Sequence, residues 1–399
     1  MMKMPYFRTF FAFSHWGRVL LLLLAFLVAP FSAEAGKITV LYTGALRGEL
    51  EPCGCSPDTQ SGGLARLSTY ISSNKSKLGP VILVDAGNTL AENTPQGQLK
   101  SEAIMRSFAA IGYDAVAFFE KSTPLPMSSL KPLLGKKIMA VSDIAGQSRS
   151  ASINKKNIPV NVSVDPKAVK RGRLNILLTD RKAAELSAAN WDVVISSSGE
   201  EIKEPLKANG AIFISGYLKG EKLGILTLEL DKKGMVSGYN HRWQAFGKDV
   251  ADDPKVRSII KEYDRKVAEL AMAEEAKPVS GPYLGAQSCV ECHQPHFESW
   301  QATKHASAFS RLEQAGKSRD PECVVCHSTG FREEGGFVSR EATPGLADVQ
   351  CEVCHGPGRE HVKDFSPMRT IDQWVCIKCH TPENSPEFDY KDYFDRIKH

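Results

Sequence analysis

Four copies of the motif Cys-x-x-Cys-His lie in the last third of this 399-residue chain and use eight of its ten cysteines. The copies are Cys289, Cys292 and His293; Cys323, Cys326 and His327; Cys351, Cys354 and His355; and Cys376, Cys379 and His380. Two thiols separated by two residues can be alkylated by the two vinyl groups of one haem, and the adjacent histidine then binds the iron. The spacing therefore predicts four covalently attached c-type haems, with these four histidines as proximal iron ligands.

Zinc ribbons are the alternative explanation, because they also contain Cys-x-x-Cys pairs. A ribbon does not require histidine after the second cysteine. Histidine fills only 10 of the 399 positions, so four histidines in this place by chance are very improbable. The pattern therefore favours haem over zinc.

The first residues have the pattern of a secretory signal peptide. Lys3, Arg8 and Arg18 precede or border an apolar run over 19–28, and Ala33-Glu34-Ala35 offers a small-x-small cleavage site. The run is too short for a membrane span. We expect cleavage after Ala35, a mature chain that does not span the membrane, and a periplasmic location, with outer-membrane association or release from the cell as alternatives.

The net charge gives no support for a nucleic-acid role. Removal of 1–35 takes away three basic residues and one acidic residue, so the formal charge falls from +4 to +2. Haem propionates would make the protein more acidic. The expected partners are redox proteins, either other cytochromes or quinol-side donors in the membrane, with an outer-membrane complex as an alternative.

Residues 37–247 alternate short apolar runs with amphipathic segments, as in a buried α/β sheet. The predicted strands cover 38–43, 81–85, 115–119, 137–141, 174–179, 192–196, 211–215 and 223–230. The predicted helices cover 63–73, 99–111, 182–189 and 254–274. We expect an α/β sandwich in this part of the chain.

The composition changes at 276–282, where Ala-Lys-Pro-Val-Ser-Gly-Pro is typical of a linker. Residues 283–399 contain few strand-like runs, and the haems must supply most of their core. The predicted organisation is a signal peptide (1–35), an α/β domain (36–250), a helix and linker (251–282) and a small, mainly helical or irregular multihaem domain (283–399).

Five segments of the first domain resemble the 5′-nucleotidase-like, calcineurin-type metallophosphoesterases. They are, in order, KITVLYTGALRG (37–48), GGLARL (62–67), LVDAGN (83–88), GYDAV (112–116) and KLGIL (222–226). The resemblance implies a metallophosphoesterase-like sandwich.

The metal ligands of that family are absent from this chain. The resemblance implies an Asp-x-His, a Gly-Asp and an Asn-His after the first three strands. The corresponding residues are Ala45 and Arg47, Asn88, and Glu120 with Lys121. No histidine lies between His15 and His241. Two-metal phosphoester hydrolysis is therefore disfavoured, and the domain is expected to be degenerate.

Cys53 and Cys55 are the two cysteines outside the motifs. A bridge between them would close a small, strained and reducible ring. One interpretation is a local staple on the loop. The other is a redox-active pair that exchanges electrons with the haems or with a substrate.

Residues 283–399 resemble the tetrahaem cytochrome c-554-like family. The features that carry the resemblance are YLGA (283–286), WQATKHA (300–306), CEVCHGPGREH (351–361) and the terminal YFDRIKH (393–399). The resemblance implies that His305, His361 and His399 are distal haem ligands. It also implies that the haem of the second motif is open. His296 or Met368 could fill that position, and His296 is otherwise a solvated residue on a helix.

The leading functional hypothesis is an electron carrier in anaerobic respiration or extracellular electron transfer. One alternative is a haem reductase that acts on a small nitrogen compound or oxyanion at the open haem. The other is a thiol redox protein that uses Cys53 and Cys55.

Overall fold

The computed structural model describes residues 36–53, 60–186, 188–273, 278–382 and 384–399. The predicted signal peptide and Cys55 lie outside the described residues, and only the backbone of Cys53 is described. No helix in the described ranges is long and apolar enough to cross a membrane.

Two six-stranded sheets form the first part of the chain. The first sheet contains β1 (Gly36–Thr43), β4 (Val81–Asp85), β5 (Ala115–Phe118), β6 (Met139–Ser142), β13 (Lys222–Leu230) and β14 (Val236–Ala245), in the order β14-β13-β1-β4-β5-β6. The second contains β7 (Ser150–Lys155), β8 (Ile158–Ser163), β9 (Leu174–Thr179), β10 (Val193–Ser196), β11 (Leu206–Ala208) and β12 (Ala211–Ser215), in the order β11-β12-β10-β9-β8-β7. A small ladder joins β2 (Pro52–Cys53) to β3 (Ser61–Gly62).

The helices fall into two groups. The first group comprises α1 (Leu64–Asn74), α2 (Pro95–Ile111), α3 (Met127–Leu134) and α4 (Pro254–Ala273). The second group is shorter and comprises α5 (Val290–Gln301), α6 (Ala308–Ala315), α7 (Pro321–His327), α8 (Cys351–His355), α9 (Arg359–Asp364), α10 (Gln373–Cys376) and α11 (Tyr390–Asp395). We refer to residues 36–273 as the sandwich and to residues 283–399 as the cassette.

The central strand β1 shows why the sheets form two packed layers. Val40 and Tyr42 point into the core between the sheets, whereas Leu41 belongs to the core beneath the first group of helices. All three side chains are fully buried. A strand buried on both faces must be apolar at successive positions, and each large side chain contributes about 1.5–3 kcal/mol on burial. The expected α/β metallophosphoesterase-like sandwich is confirmed.

One predicted helix is wrong. Residues 182–189 form no α-helix in their described part; only a single 3₁₀ turn occurs, at Ala183–Glu185. The segment continues to Trp191, whose indole is buried against the outer face of the second sheet and donates to the Pro166 carbonyl. The Trp191 side chain thus covers the part of the second sheet that the predicted helix was expected to cover.

The sequence patterns did not predict β7, β8, β11, β14 or α3. β7 and β8 form a hairpin through Lys156 and Asn157, both with positive φ, without the Asn-Gly pair that usually marks such a turn. α3 carries Pro132 in its interior. Proline inside a helix argues against a helical prediction, yet α3 packs Met127, Leu130 and Leu134 into the core.

Candidate functional site

Three of the four Cys-x-x-Cys-His motifs lie on helices of the cassette, and the fourth begins at the last residue of such a helix. The second motif lies on α7, which Asp320 caps and Pro321 begins, and the third spans α8. The first enters α5, and the fourth ends α10. None of the eight motif cysteines is in a disulfide bond. Helical turns place the two cysteines and the histidine close together in the first three motifs. In the fourth, backbone hydrogen bonds from Cys379 and His380 to the Cys376 carbonyl do the same, as attachment to one haem requires.

Three pairs of imidazole rings lie face to face or tilted at almost the same separation. The ring centroids are 6.1 Å apart for His293 and His361, 6.0 Å for His355 and His399, and 6.2 Å for His305 and His380. A metal–imidazole bond is about 2 Å long, so two imidazoles on opposite sides of one metal ion have centroids roughly 6 Å apart. Each pair has the spacing needed to hold one iron atom.

Hydrogen bonds at Nδ1 orient several of these rings. His361 Nδ1 donates to the Ser366 carbonyl at 2.9 Å, and His399 Nδ1 donates to the Ile397 carbonyl at 3.1 Å. His380 Nδ1 bonds to Ser385 Oγ at 2.8 Å. A ring whose Nδ1 carries the proton has its Nε2 lone pair free for a metal.

Burial keeps part of this histidine set neutral. It lowers the pKa of His305, and the neighbouring His380 and His327 lower it further. Burial also lowers the pKa values of His355 and His380. Metal ligation requires the neutral imidazole, so these environments favour the ligating form.

His327 differs from the other three motif histidines. Its Nδ1 donates to the Ala308 carbonyl at 2.7 Å, which again leaves Nε2 free. Among the described histidines, no ring stacks on His327 or meets it edge-on. His296 lies instead beside His293 and His399, with ring centroids 5.6 and 5.0 Å away. The structure therefore places His296 next to two members of the imidazole pairs and not next to His327.

Contacts between cysteines of different motifs give the order of the attachment sites. The Cys289 and Cys351 side chains lie close enough to shift each other's pKa, as do the Cys326 and Cys379 side chains. Burial raises the pKa of Cys354, and the neighbouring Cys376 raises it further. The four sites thus form a row in the order first, third, fourth and second motif.

The packing of the cassette fits bound haem. None of the twelve residues of α5 is buried, although the helix carries Cys292, His293 and His296. Trp374 is 65% exposed and Phe365 is 79% exposed to solvent. One small cluster around Phe309 supplies the apolar core. Large flat apolar groups between the short helices would cover these surfaces, and porphyrins have that shape and chemistry.

A buried carboxylate joins the start of the cassette to the third motif, and the sequence analysis did not single it out. Glu352 is 2% exposed and accepts hydrogen bonds from the backbone N–H groups of Leu284, Gly285 and Gly358. The neighbouring Gln350 accepts from the Ala286 N–H. The sequence offered one signal, a glutamate between the two cysteines of the third motif. Charged residues are rarely buried without partners, so burial there would imply hydrogen bonds to the carboxylate.

The edge of the sandwich that holds metals in the resembling family is closed by backbone contacts in this chain. An added Cβ at Gly216, after β12, would lie 2.6 Å from the Cα of Gly44, after β1. Asn88 Nδ2 donates to the Ser197 carbonyl at 3.2 Å. No group of three or more His, Cys, Asp or Glu side chains in the described residues is placed to hold a metal ion. The absence of side chains at Gly44 and Gly216 allows the backbones after β1 and β12 to contact each other directly.

Asp85 lies beneath this edge and should make the sandwich sensitive to pH. Burial raises the pKa of Asp85 to about 6, although Thr89, Thr43 and the Gly87 N–H donate hydrogen bonds to its carboxylate. The folded protein therefore binds a proton more tightly than the unfolded chain, whose carboxyl has a pKa near 3.8. The contribution of Asp85 to the free energy of unfolding therefore decreases as pH rises from about 4 to about 6. Above pH 6 this contribution stays constant.

We expect Asp85→Asn to remove about 1–3 kcal/mol of this pH dependence, because the amide never becomes charged. Unfolding by denaturant, followed by far-ultraviolet circular dichroism from pH 4 to 7, measures it. The exposed Glu92→Gln is the matched control. An unchanged pH profile in Asp85→Asn would show that Asp85 is not the responsible group.

Comparisons with known proteins give separate matches for the cassette and for the sandwich. Residues 288–356 match the family described as cytochrome c554 and c-prime. Cytochrome c-554 of Nitrosomonas europaea is 36% identical over 93 residues, which cover 20% of this chain and 40% of that protein. These matches support covalently bound c-type haem. The family match spans three of the four motifs and ends before the fourth.

Comparison with solved structures concerns the fold of the sandwich. The 5′-nucleotidase precursor of Thermus thermophilus has a TM-score of 0.50 and 15% identity, and the alignment covers 70% of this chain and 68% of that one. A calcineurin-like phosphoesterase of Bacillus subtilis has a TM-score of 0.44 and 15% identity, covering 58% and 98%. Residues 288–356 therefore carry the signature of the cytochrome c554 and c-prime family, and they follow a sandwich with the fold of the 5′-nucleotidases.

Proposed function

We propose that this chain is a multihaem c-type cytochrome that carries electrons through four covalently attached haems. The observation that carries the proposal is the set of three imidazole pairs at 6.0–6.2 Å. Haem supplies one-electron redox chemistry when bound.

The proposed ligand sets follow from the pairs. His293 with His361, His355 with His399, and His380 with His305 would each hold one iron between two imidazoles. The Nδ1 hydrogen bonds of His361, His380 and His399 fix the ring orientation. Two identical ligands suit both oxidation states, so these residues favour electron transfer over substrate binding.

The second motif supports a further step within this proposal. His327 is held through Nδ1 and faces no second imidazole among the described residues. Its iron would keep one coordination position for a small molecule. This arrangement favours a haem reductase for a small nitrogen compound or oxyanion as the alternative function, with the other three sites delivering electrons.

Two measurements on the purified ferric protein test the proposal. Mass spectrometry should show four haem additions. Electron paramagnetic resonance should show three low-spin signals and one high-spin signal that cyanide or nitric oxide shifts. Fewer than four haems would contradict the proposed count. Four low-spin signals would contradict an open second site and leave a pure electron carrier.

We also propose an exported, periplasmic protein, and outer-membrane association is the alternative location. Two observations support export. Residues 1–35 have the pattern of a signal peptide, and c-type haem is attached to chains that have been exported. The partners would be redox proteins, such as other cytochromes or quinol-side membrane donors in anaerobic respiration or extracellular electron transfer.

A thiol redox role for Cys53 and Cys55 is the second candidate function, and the surroundings of the loop favour it. The pairing of Cys53 with Ser61 in the β2–β3 ladder closes the loop at its base. Glu51, just before the ladder, accepts two hydrogen bonds from Arg257 at 2.6 and 2.9 Å. Its carboxylate also lies 3.7 Å from Lys317 of the cassette. Glu51, two residues before Cys53, thus contacts the cassette.

Replacing both cysteines by serine tests this role. If the pair exchanges electrons with the haems, the double variant should show at least a severalfold change in the rate of haem reduction by a dithiol. The haem content should stay at the wild-type value. Unchanged rates with intact haems would leave the pair as a local staple. Ser61→Ala, in the same ladder, serves as the control for disturbance of the loop base.

A further inference from the structure

A short turn of the cassette is held by the sandwich at the site of the second motif. Lys317 Nζ lies 2.5 Å from Asp264 Oδ1 on α4. Gln96 Nε2, on α2, donates to Asp320 Oδ1 at 2.7 Å and to the Tyr263 hydroxyl at 3.1 Å. We name residues 317–322 the docking turn.

Lys100 makes a further contact across this interface. Its Nζ lies 2.5 Å from Glu322 Oε2, and its side chain is only 12% exposed. Glu322 is 55% exposed. The lysine is therefore mostly removed from water, so its charge is screened less than that of an ordinary surface lysine.

Charge complementarity holds the docking turn firmly. Burial lowers the pKa of Lys317, but Glu51, Asp264 and Asp320 outweigh burial and keep the pKa above its ordinary value. The ammonium group also lies 5.9 Å from the centre of the Tyr263 ring. A cation that is 16% exposed with acidic neighbours on both sides of the interface is a specific contact and not a loose surface pair.

The docking turn leads directly into the helix of the second motif. Asp320 is the N-cap of α7 and accepts from the Glu322 N–H at 3.1 Å. Cys323 follows within the first turn of α7, and His327 ends the helix. Gln96 therefore bonds to the same carboxylate that caps α7, so a residue of the sandwich helps to position the helix.

The charges of the interface reach the attachment cysteine. Burial raises the pKa of the Cys323 thiol, Asp320 and Glu322 raise it further, and Lys317 and Lys100 lower it. The same four charges would act on a haem bound to this cysteine. A nearby cation stabilises the reduced, less positive iron relative to the oxidised iron.

We propose that the sandwich is part of the binding site of the second haem: Gln96 positions the Asp320-capped helix α7, and the ion pair of Lys100 with Glu322 places two opposite charges that tune the reduction of that haem. Both are positioning or tuning residues, because neither contacts the iron-binding atoms. The inference deepens the proposed function and rests on haem attachment at the second motif. It gives the degenerate sandwich a role that needs no metal site.

Redox titration of charge variants tests the proposal. Lys100→Gln should lower the ratio of reduced to oxidised second haem at a fixed potential by about three- to tenfold. Glu322→Gln should raise the ratio, and the double variant should lie between the two. The high-spin ferric resonance follows the second haem, and the low-spin resonances follow the others. Lys100→Arg should retain most of the wild-type ratio, and Lys131→Gln, on the surface of α3, should leave it unchanged.

Three outcomes would overturn the proposal. They are unchanged ratios in Lys100→Gln, equal shifts at all four haems, and shifts of the same sign in Lys100→Gln and Glu322→Gln. The last outcome would mean that loss of docking, rather than charge, alters the haem. Haem counting by mass spectrometry on the wild-type protein separates this test from that of the proposed function. A missing second haem there contradicts the proposed function, whereas four haems with unchanged ratios in the variants contradict the present proposal alone.

Discussion

Replacing His361 by alanine should convert one low-spin haem into a high-spin haem that binds cyanide, while the other haems keep their spectra. The reason is that His361 faces His293 at a ring separation of 6.1 Å, and alanine offers the iron no replacement ligand. Electron paramagnetic resonance before and after addition of cyanide measures the change. We expect one extra high-spin iron for each protein molecule.

Two histidine variants serve as controls for this prediction. His241→Ala should leave every haem signal unchanged, because His241 lies in β14 and bonds to the Tyr42 hydroxyl at 2.9 Å. His296→Ala tests the neighbouring ring, which lies close to His293 but outside the three pairs. If His296→Ala produced the new high-spin signal and His361→Ala did not, the ligand assignment of the first motif would be wrong.

Replacing Glu352 by alanine should destabilise the cassette by about 3–6 kcal/mol. The substitution leaves the buried N–H groups of Leu284, Gly285 and Gly358 without an acceptor, and each such group costs about 1–3 kcal/mol. We therefore expect lower haem incorporation at the first and third motifs, whose segments these hydrogen bonds join. Haem content by mass spectrometry and denaturant unfolding followed at the Soret band measure the two effects.

Glu352→Gln and Glu360→Ala complete the test. Glutamine keeps one acceptor oxygen, so its effect should lie between those of wild type and Glu352→Ala. Glu360 is exposed and pairs only with Lys363, at 3.4 Å, so its removal should cost less than about 1 kcal/mol. Equal stability of Glu352→Ala and Glu360→Ala would show that the buried carboxylate does not hold the cassette together.

The fold of the sandwich was largely predictable because its central strands are apolar at most positions. β4, β9 and β12 have the bounds expected from the sequence, and their residues are almost completely buried. The peripheral elements were not predictable, since the strand at one end of the second sheet, β7, carries polar residues at alternate positions. Apolar patterns in the sequence identify buried strands. A strand at the edge of a sheet is mostly exposed, so its sequence carries little of this pattern.

The candidate site divides in the same way. The motif spacing alone predicted the eight attachment cysteines and the four proximal histidines. Thioether formation to one haem constrains residues that are neighbours in the chain, so this pattern is visible in the sequence. The distal positions of His305, His361 and His399 came only from a family resemblance. Their pairing could not be read from the chain, since the partners are separated by up to 75 positions, as in His305 and His380.

The sequence by itself thus predicted where haem attaches, and it disfavoured a two-metal site in the sandwich. Both properties depend on the chemical identity of residues at short spacing. Only the tertiary structure decided which imidazoles form pairs, that His327 is in no such pair among the described histidines, and that Gln96 and Lys100 contact the first turn of the second-motif helix and its cap. Those relations depend on distances between segments far apart in the chain, which are set by packing and charge complementarity and not by local spacing.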